Sequence, residues 1–143
     1  MDDQGQKPNV CFNDPTEKLP GYLYGDLGNE KSHKYLEKML EALALCHTIV
    51  VDSVTGQYNA SSPDELALVN FAKQCGYSFE GIDDYEILHV NTPKGKRRYK
   101  LLHVCPFNSD RKRMSVIVMD EAGIVKLICK GADQVILSLL CHD

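Results

Sequence analysis

The sequence predicts an α+β domain, an antiparallel β-sheet with helices packed on it. Three observations carry this. Apolar residues recur at helical spacing over 31–47. A second helix is announced by Ser62-Pro63-Asp64-Glu65 and stopped by Gly76. Everything after Gly76 consists of short alternating or apolar runs divided by turn residues, the pattern of successive hairpins.

Residues 1–30 form an irregular lead-in, polar and rich in turn formers, with Pro8, Pro15, Pro20, Gly21, Gly25 and Gly28 and only a short Val10-Cys11-Phe12 run. Residues 31–143 form the domain proper. In the first helix Tyr35, Met39, Leu40, Leu43, Leu45 and Cys46 alternate with Lys34, Glu37, Lys38 and Glu41, and Ser32 is placed to cap it. Thr48-Ile49-Val50-Val51-Asp52 either extends that helix or starts a strand. The second helix has Ser62 at the N-cap, Pro63 in the first position and two acids in the first turn, where they favour the helix dipole. Glu65, three residues after Ser62, completes a capping-box pattern.

Strands are then expected at Tyr77–Glu80, Tyr85–Val90, Arg98–Val104, Met114–Met119 and Ile124–Lys130, with turns at Asn91–Lys96 and Asp120–Gly123. A short helix is expected from Gln134 to Leu140. No internal repeat or low-complexity segment interrupts this order.

A chain of 143 residues fits one domain and buries a sizeable core. Its formal net charge of −4 gives no overall attraction for nucleic acid or an anionic membrane, so a bound anion must be held by a local cluster of cations. No apolar run approaches the ~20 residues needed to span a bilayer, and the first residues lack the pattern of a signal peptide. The six cysteines include no CxxC pair; Cys105 and Cys129, within apolar strands, read as buried free thiols of a reducing compartment rather than as zinc ligands. His33, His47, His89, His103 and His142 share no metal-ligand spacing and read as structural or surface residues.

Three segments carry candidate chemistry, each with two readings. Ser61-Ser62-Pro63-Asp64-Glu65 is a helix cap, or else it turns Glu65 into a cleft to accept a hydrogen bond from a ligand amine. Phe107-Asn108-Ser109-Asp110-Arg111-Lys112-Arg113-Met114-Ser115 is a solvated basic face with a core aromatic at its start. Alternatively it is a phosphate site whose Phe107 offers a π-face to a base. Lys130-Gly131-Ala132-Asp133 is a strand-to-helix turn, or a close approach at Gly131 with Lys130 reaching into a cleft. It is not a Walker A loop, because the second glycine and the Lys-Ser/Thr pair are missing. Residue chemistry alone reaches an α+β domain with an anionic, aromatic-bearing ligand; it does not choose ATP.

Taken together and in this order, the segments resemble the nucleotide-binding (N) domain of type-4 P-type ATPases, the phospholipid-transporting lipid flippases. Tyr58 through Val69 is similar to the family's tyrosine-x-alanine-serine-serine-proline-aspartate-glutamate-x-alanine-leucine-valine motif. Phe107 through Val116 resembles its F-x-S-x-R-K-R-M-S-V segment, Lys130–Asp133 its KGAD element, and Leu43–His47 its leucine-cysteine-histidine run. The similarity spans roughly residues 36–140.

The resemblance implies a nucleotide site with named roles. Phe107 stacks on adenine. Glu65 lies near the adenine amine with Asp64 beside it. Lys130 lines the adenine and ribose pocket or meets the phosphates, with Gly131 and Ala132 allowing close approach. Lys112, with Arg111 or Arg113, meets the phosphates, and Ser109 and Met114 line the pocket. No residue here is expected to be catalytic or to bind metal. ATP arrives as its Mg2+ complex, the ion being held by parts of the parent protein outside this chain. The implied partners are the phosphorylation and actuator domains of the same parent, an accessory subunit, and phospholipid handled by a membrane domain; nucleic acid is not among them. The implied location is the cytoplasmic side of an integral membrane protein of the plasma membrane or endomembranes. The family's phosphorylated aspartate lies in a D-K-T-G-T run that is absent here, and so is its downstream strand bearing a nucleotide-holding arginine. The chain is therefore expected to bind ATP without hydrolysing it and to lack the last strand of the sheet. The alternative is a non-enzymatic module that docks an acidic partner or a phosphoinositide on Arg111-Lys112-Arg113. A nucleotide domain of another P-type class is disfavoured by Pro63 and Asp133.

Overall fold

The computed structural model describes residues 29–141; residues 1–28 of the expected lead-in and His142 lie outside them, while the last two of that lead-in, Asn29 and Glu30, belong to the start of the first helix. The first helix, α1, spans Glu30–Leu45. Its cap is Asn29 rather than Ser32: the Asn29 side chain accepts from the Ser32 amide at 2.9 Å. Starting there places Glu30 in the first turn and gives the Ser32 amide a partner that a Ser32 cap would have left to water. The helix ends at Leu45, with Cys46 as its C-cap, two residues short of the 31–47 periodicity. Thr48–Asp52 resolves as a strand: β1 (Val50–Val51) pairs antiparallel with β2 (Tyr58–Asn59). Between them the Asp52 carboxylate accepts from the amides of Val54 and Thr55.

The second helix, α2, spans Pro63–Gln74 and follows its sequence signals closely. Ser62 is the N-cap and accepts from the Glu65 amide, with Pro63 at the first position. At the other end Gly76 has φ +88. Its amide bonds Lys73 O and the Tyr77 amide bonds Ala72 O, the paired hydrogen bonds of a Schellman stop.

A five-stranded antiparallel meander follows: β3 (Ser78–Ile82), β4 (Ile87–Thr92), β5 (Gly95–Asn108), β6 (Arg113–Met119) and β7 (Val125–Gly131), hydrogen-bonded in that order. Strand β4 begins two residues later than expected because Glu86 takes φ +60, outside the extended region. Strand β5 runs four residues past Val104. Helix α3 (Asp133–Leu139) follows β7 directly. Among the described residues, no helix is long and apolar enough to cross a membrane.

Alternation puts Leu88, Val90, Met114, Val116 and Val118 on one face of the sheet. With Phe79 and Tyr99 they pack against Leu40, Ala44 and Leu45 of α1 and Val69 and Ala72 of α2. The core is therefore helices on one sheet face, the α+β arrangement expected. The intervening residues face away from the helices. Cys105 and Cys129 both pair with Ser115 on that opposite face, which leaves them half-buried; the buried thiols are Cys46 and Cys75.

Candidate functional site

The C-terminal end of α1, the N-terminus of α2 and the far ends of β5, β6 and β7 meet around a cavity of about 600 Å³. Its volume lies within the usual range of small-molecule sites. Thr48, Ser61, Ser62, Asp64, Glu65 and Leu68 line one side; Pro106, Phe107, Met114, Lys130 and Gly131 line the other. Three sequence segments separated by tens of residues thus share one cavity.

Glu65 lines it and is only 9% exposed. The Lys130 ammonium donates to Glu65 Oε1 at 3.0 Å. The Thr48 hydroxyl donates to Oε2 at 2.9 Å, and the Thr48 amide is shared between both oxygens at 3.3 Å. Burial alone would push the Glu65 carboxyl up. The hydrogen bonds from Lys130 and Thr48 outweigh it and hold the group below the usual carboxylate range. The second half of the capping box is given up for this, since the carboxylate turns to Thr48 and Lys130. Lys130 reaches Glu65 because of strand parity: it pairs with Met114, a residue of the helix-facing side.

Thr48 is held from behind by His47. The His47 Nε2 donates to Ala44 O at 2.8 Å, and its Nδ1 accepts from the Ile49 amide at 3.1 Å. The ring meets Phe79 edge-on at 4.4 Å. Burial lowers the imidazole to about 4, so it is neutral at ordinary pH and keeps one nitrogen free to accept. The structural reading of this histidine agrees with its contacts.

Phe107 owes its position to a β-bulge. Cys105 pairs with Ser115 and Asn108 with Arg113, so β5 carries one residue more than β6 over this stretch. Pro106, without an amide to give the ladder, falls within it. The Phe107 ring is 63% exposed on the cavity wall, not in the core. The bulge is fastened by Arg111, whose guanidinium donates to Cys105 O, Pro106 O and Ser115 Oγ. Asn108 closes the turn, its side chain accepting from the Arg111 amide at 2.7 Å.

Gly131 permits a close approach, and the partner is the protein's own backbone. A Cβ there would lie 2.5 Å from Lys112 O and 2.8 Å from Arg113 Cα. The Ala132 amide donates to the same Lys112 carbonyl at 3.0 Å. Of the ten residues singled out in the sequence, Asp64, Glu65, Phe107, Met114, Lys130 and Gly131 line the cavity. Ser109, Arg111, Lys112 and Ala132 do not. Lys112 is exposed with φ +50 beside Gly131. Sequence reasoning missed Thr48, Ser61, Ser62, Leu68 and Pro106 as lining residues. Among the described residues no group of three or more His, Cys, Asp or Glu could hold a metal ion.

Residues 35–142 match the family model for the P-type ATPase cytoplasmic domain N. The chain is 48% identical over 100 residues to human phospholipid-transporting ATPase IC, covering 68% of this chain and 8% of that protein. The mouse protein of the same name gives 47% identity over the same shares. Phospholipid-transporting ATPase 10 of Arabidopsis thaliana is 44% identical over 141 residues, 92% of this chain and 12% of that protein. The chain thus spans only 8 to 12% of the length of these curated relatives.

Proposed function

The chain belongs to the P-type ATPase cytoplasmic N domain family, on its type-4 branch, and from that premise we propose that the cavity beside Glu65 binds ATP. One observation carries the reading: an exposed aromatic ring, an ammonium and an ionised carboxylate line a single cavity in an otherwise acidic chain. Phe107 stacks on the adenine, over a floor supplied by Leu68, Pro106 and Met114. Glu65, with Asp64 beside it, accepts from the exocyclic amine. Lys130 lines the base and ribose end. Lys112, on the far side of Gly131, meets the phosphates as they leave the cavity, with Ser109 on the same loop and Ala132 closing the turn. Arg111 acts by holding the bulge that presents Phe107.

In the longer protein this domain carries ATP to a phosphorylation domain, and positioning is its contribution to the phosphoryl transfer. The parent is an integral membrane ATPase that moves phospholipid, working with its own phosphorylation and actuator domains and an accessory subunit. Mg2+ comes with the nucleotide and is held by those other parts. This chain, without a D-K-T-G-T run, binds ATP and does not hydrolyse it. The rival docking role for the basic run is weakened because Arg111 and Arg113 both spend guanidinium hydrogen bonds inside their own loop.

Titrating the isotope-labelled chain with ATP tests the reading. Resonances of Glu65, Phe107 and Lys130 are expected to move together. Phe107→Ala should weaken binding by ~5- to 150-fold, from the ~1–3 kcal/mol of base–aromatic stacking, with no change in melting temperature. Shifts confined to Arg111–Arg113, or Phe107→Ala binding as tightly as the parent chain, would sink it.

A further inference from the structure

We propose that Thr48 is a positioning residue that sets the base preference of this cavity: it holds the Glu65 carboxylate so that one acceptor site remains aimed at an amine-bearing base. The inference rests on the reading that the cavity takes the base of a nucleotide, and it adds the residue that makes the choice.

The geometry gives the argument. An ionised carboxylate offers about four acceptor sites. Lys130 takes one on Oε1 and the Thr48 hydroxyl takes one on Oε2. The Thr48 amide lies 3.3 Å from both oxygens, a long three-centre contact that amounts in total to about one further site. About one acceptor site is left for a ligand, and its direction is fixed because three donors hold the group on two sides. Lys130 alone would leave the carboxylate free to swing about its remaining torsion. The donors themselves come from a rigid support. His47 bridges Ala44 O and the Ile49 amide across Thr48, pinning the backbone that carries the hydroxyl.

An acceptor held in place discriminates by chemistry. A base with an exocyclic amine donates to it. A base with a carbonyl in the same position brings a second acceptor against an ionised oxygen, with no proton between them. Adenine-type bases are therefore favoured over hypoxanthine-type ones, and the preference depends on Thr48 as well as Glu65. Nothing in the local sequence around Thr48 signals this, because its partner lies 17 residues away, on α2.

Thr48 is exposed at the cavity wall, so replacing it with an isosteric residue leaves the core untouched. The test compares ATP with inosine triphosphate, which carries a carbonyl where ATP has its amine, by calorimetric titration of the full chain. The parent chain is expected to prefer ATP by about tenfold or more. Thr48→Val, which keeps the shape and the amide but removes the hydroxyl, should reduce that ratio to about twofold or less, with inosine triphosphate binding unchanged. Thr48→Ser should keep the parent ratio. Thermal melts of both variants, matched to the parent, establish that each is folded. If Thr48→Val retains the ratio, or loses both nucleotides equally while folded, the positioning role is wrong and the nucleotide reading stands. A parent chain that binds both nucleotides alike overturns it as well. If the parent binds neither, the nucleotide reading itself fails and takes this inference with it.

Discussion

Two cavities of similar size flank α1, about 600 Å³ beyond its C-terminus and about 550 Å³ beside its middle turns. The second is lined by Lys34, Glu37, Lys38, Glu41, Tyr77, Arg97 and Lys126, among others, and is the more highly charged. Several of its charges are taken up by surface ion pairs. Glu37 pairs with Lys94 at 2.6 Å, and Lys126 pairs with Asp120 at 3.1 Å and approaches Glu41. Its aromatic, Tyr77, is buried. At the first cavity the relation is reversed. The aromatic is exposed, the ion pair is sheltered, and a buried histidine, a bulge and a glycine without room for a side chain hold them. Volume does not distinguish the two cavities, and the more highly charged one is the less supported; what separates them is how far the exposed groups are fixed by buried ones.

If that contrast is right, perturbing the supports at the site end has large effects. The largest expected is at His47. Its folded value of about 4 lies below the ordinary 6.5, so the unfolded chain binds more protons between those two values. The stabilisation from a neutral His47 is fully present above pH 6.5, falls as pH drops through that window, and is gone below about 4. The loss amounts to about 3 kcal/mol. Glu65, held below its usual range, adds a smaller loss of the same sign as pH falls further. Urea unfolding at pH 7, 5.5 and 4.5 should therefore show stability declining in the parent and a flatter profile in His47→Gln. Parallel profiles would mean that the buried histidine does not support this end.

The supports differ in how visible they are in the sequence. Helix α2 is legible because its signals are local: Ser62, Pro63 and Gly76 each act within one turn of the chain. Asn29 and Ser32 are both competent caps, and only the hydrogen-bonding of the first turn decides between them. The reach of β5 to Asn108 is hidden, since Pro106 breaks the alternation and the bulge exists only relative to β6. Cys105 and Cys129 have apolar sequence neighbours, yet register puts them on the face the helices do not cover. Candidate segments were legible as letters, and six of the ten chosen residues do line the cavity. Thr48 was not, because a threonine acquires this role only from a carboxylate on another element. Arg111 was legible as a cation, but its contacts with Cys105 O and Pro106 O depend on the fold of its own loop.

A second way to press the comparison is Gly131→Ala. The added methyl group would sit within 2.8 Å of backbone atoms of Lys112 and Arg113, and backbone cannot rotate aside as a side chain can. Strand β7 must then part from β6 at its end. We expect a cost of about 2 kcal/mol in stability, together with weaker ATP binding, because Lys130 moves with the strand. A variant as stable as the parent would mean that the two strands separate easily here, and that the site end is less tightly held than its contacts imply.

The smallest effect is expected at the opposite end, and the contrast needs it to be small. Arg98 donates to Glu121 at 2.9 Å, with side chains 66% and 52% exposed. A pair this open has its attraction screened by water and salt and loses side-chain freedom in forming. Glu121→Gln should change stability by less than about 0.5 kcal/mol, the difference shrinking as salt is raised, and should leave ATP affinity unaltered. The distance in this pair is as short as that between Lys130 and Glu65, so the two pairs set like geometry in unlike surroundings. A loss at Glu121→Gln comparable to that at Gly131→Ala would break the distinction between the two ends, since exposed charge would then be supporting the fold as strongly as buried constraint does.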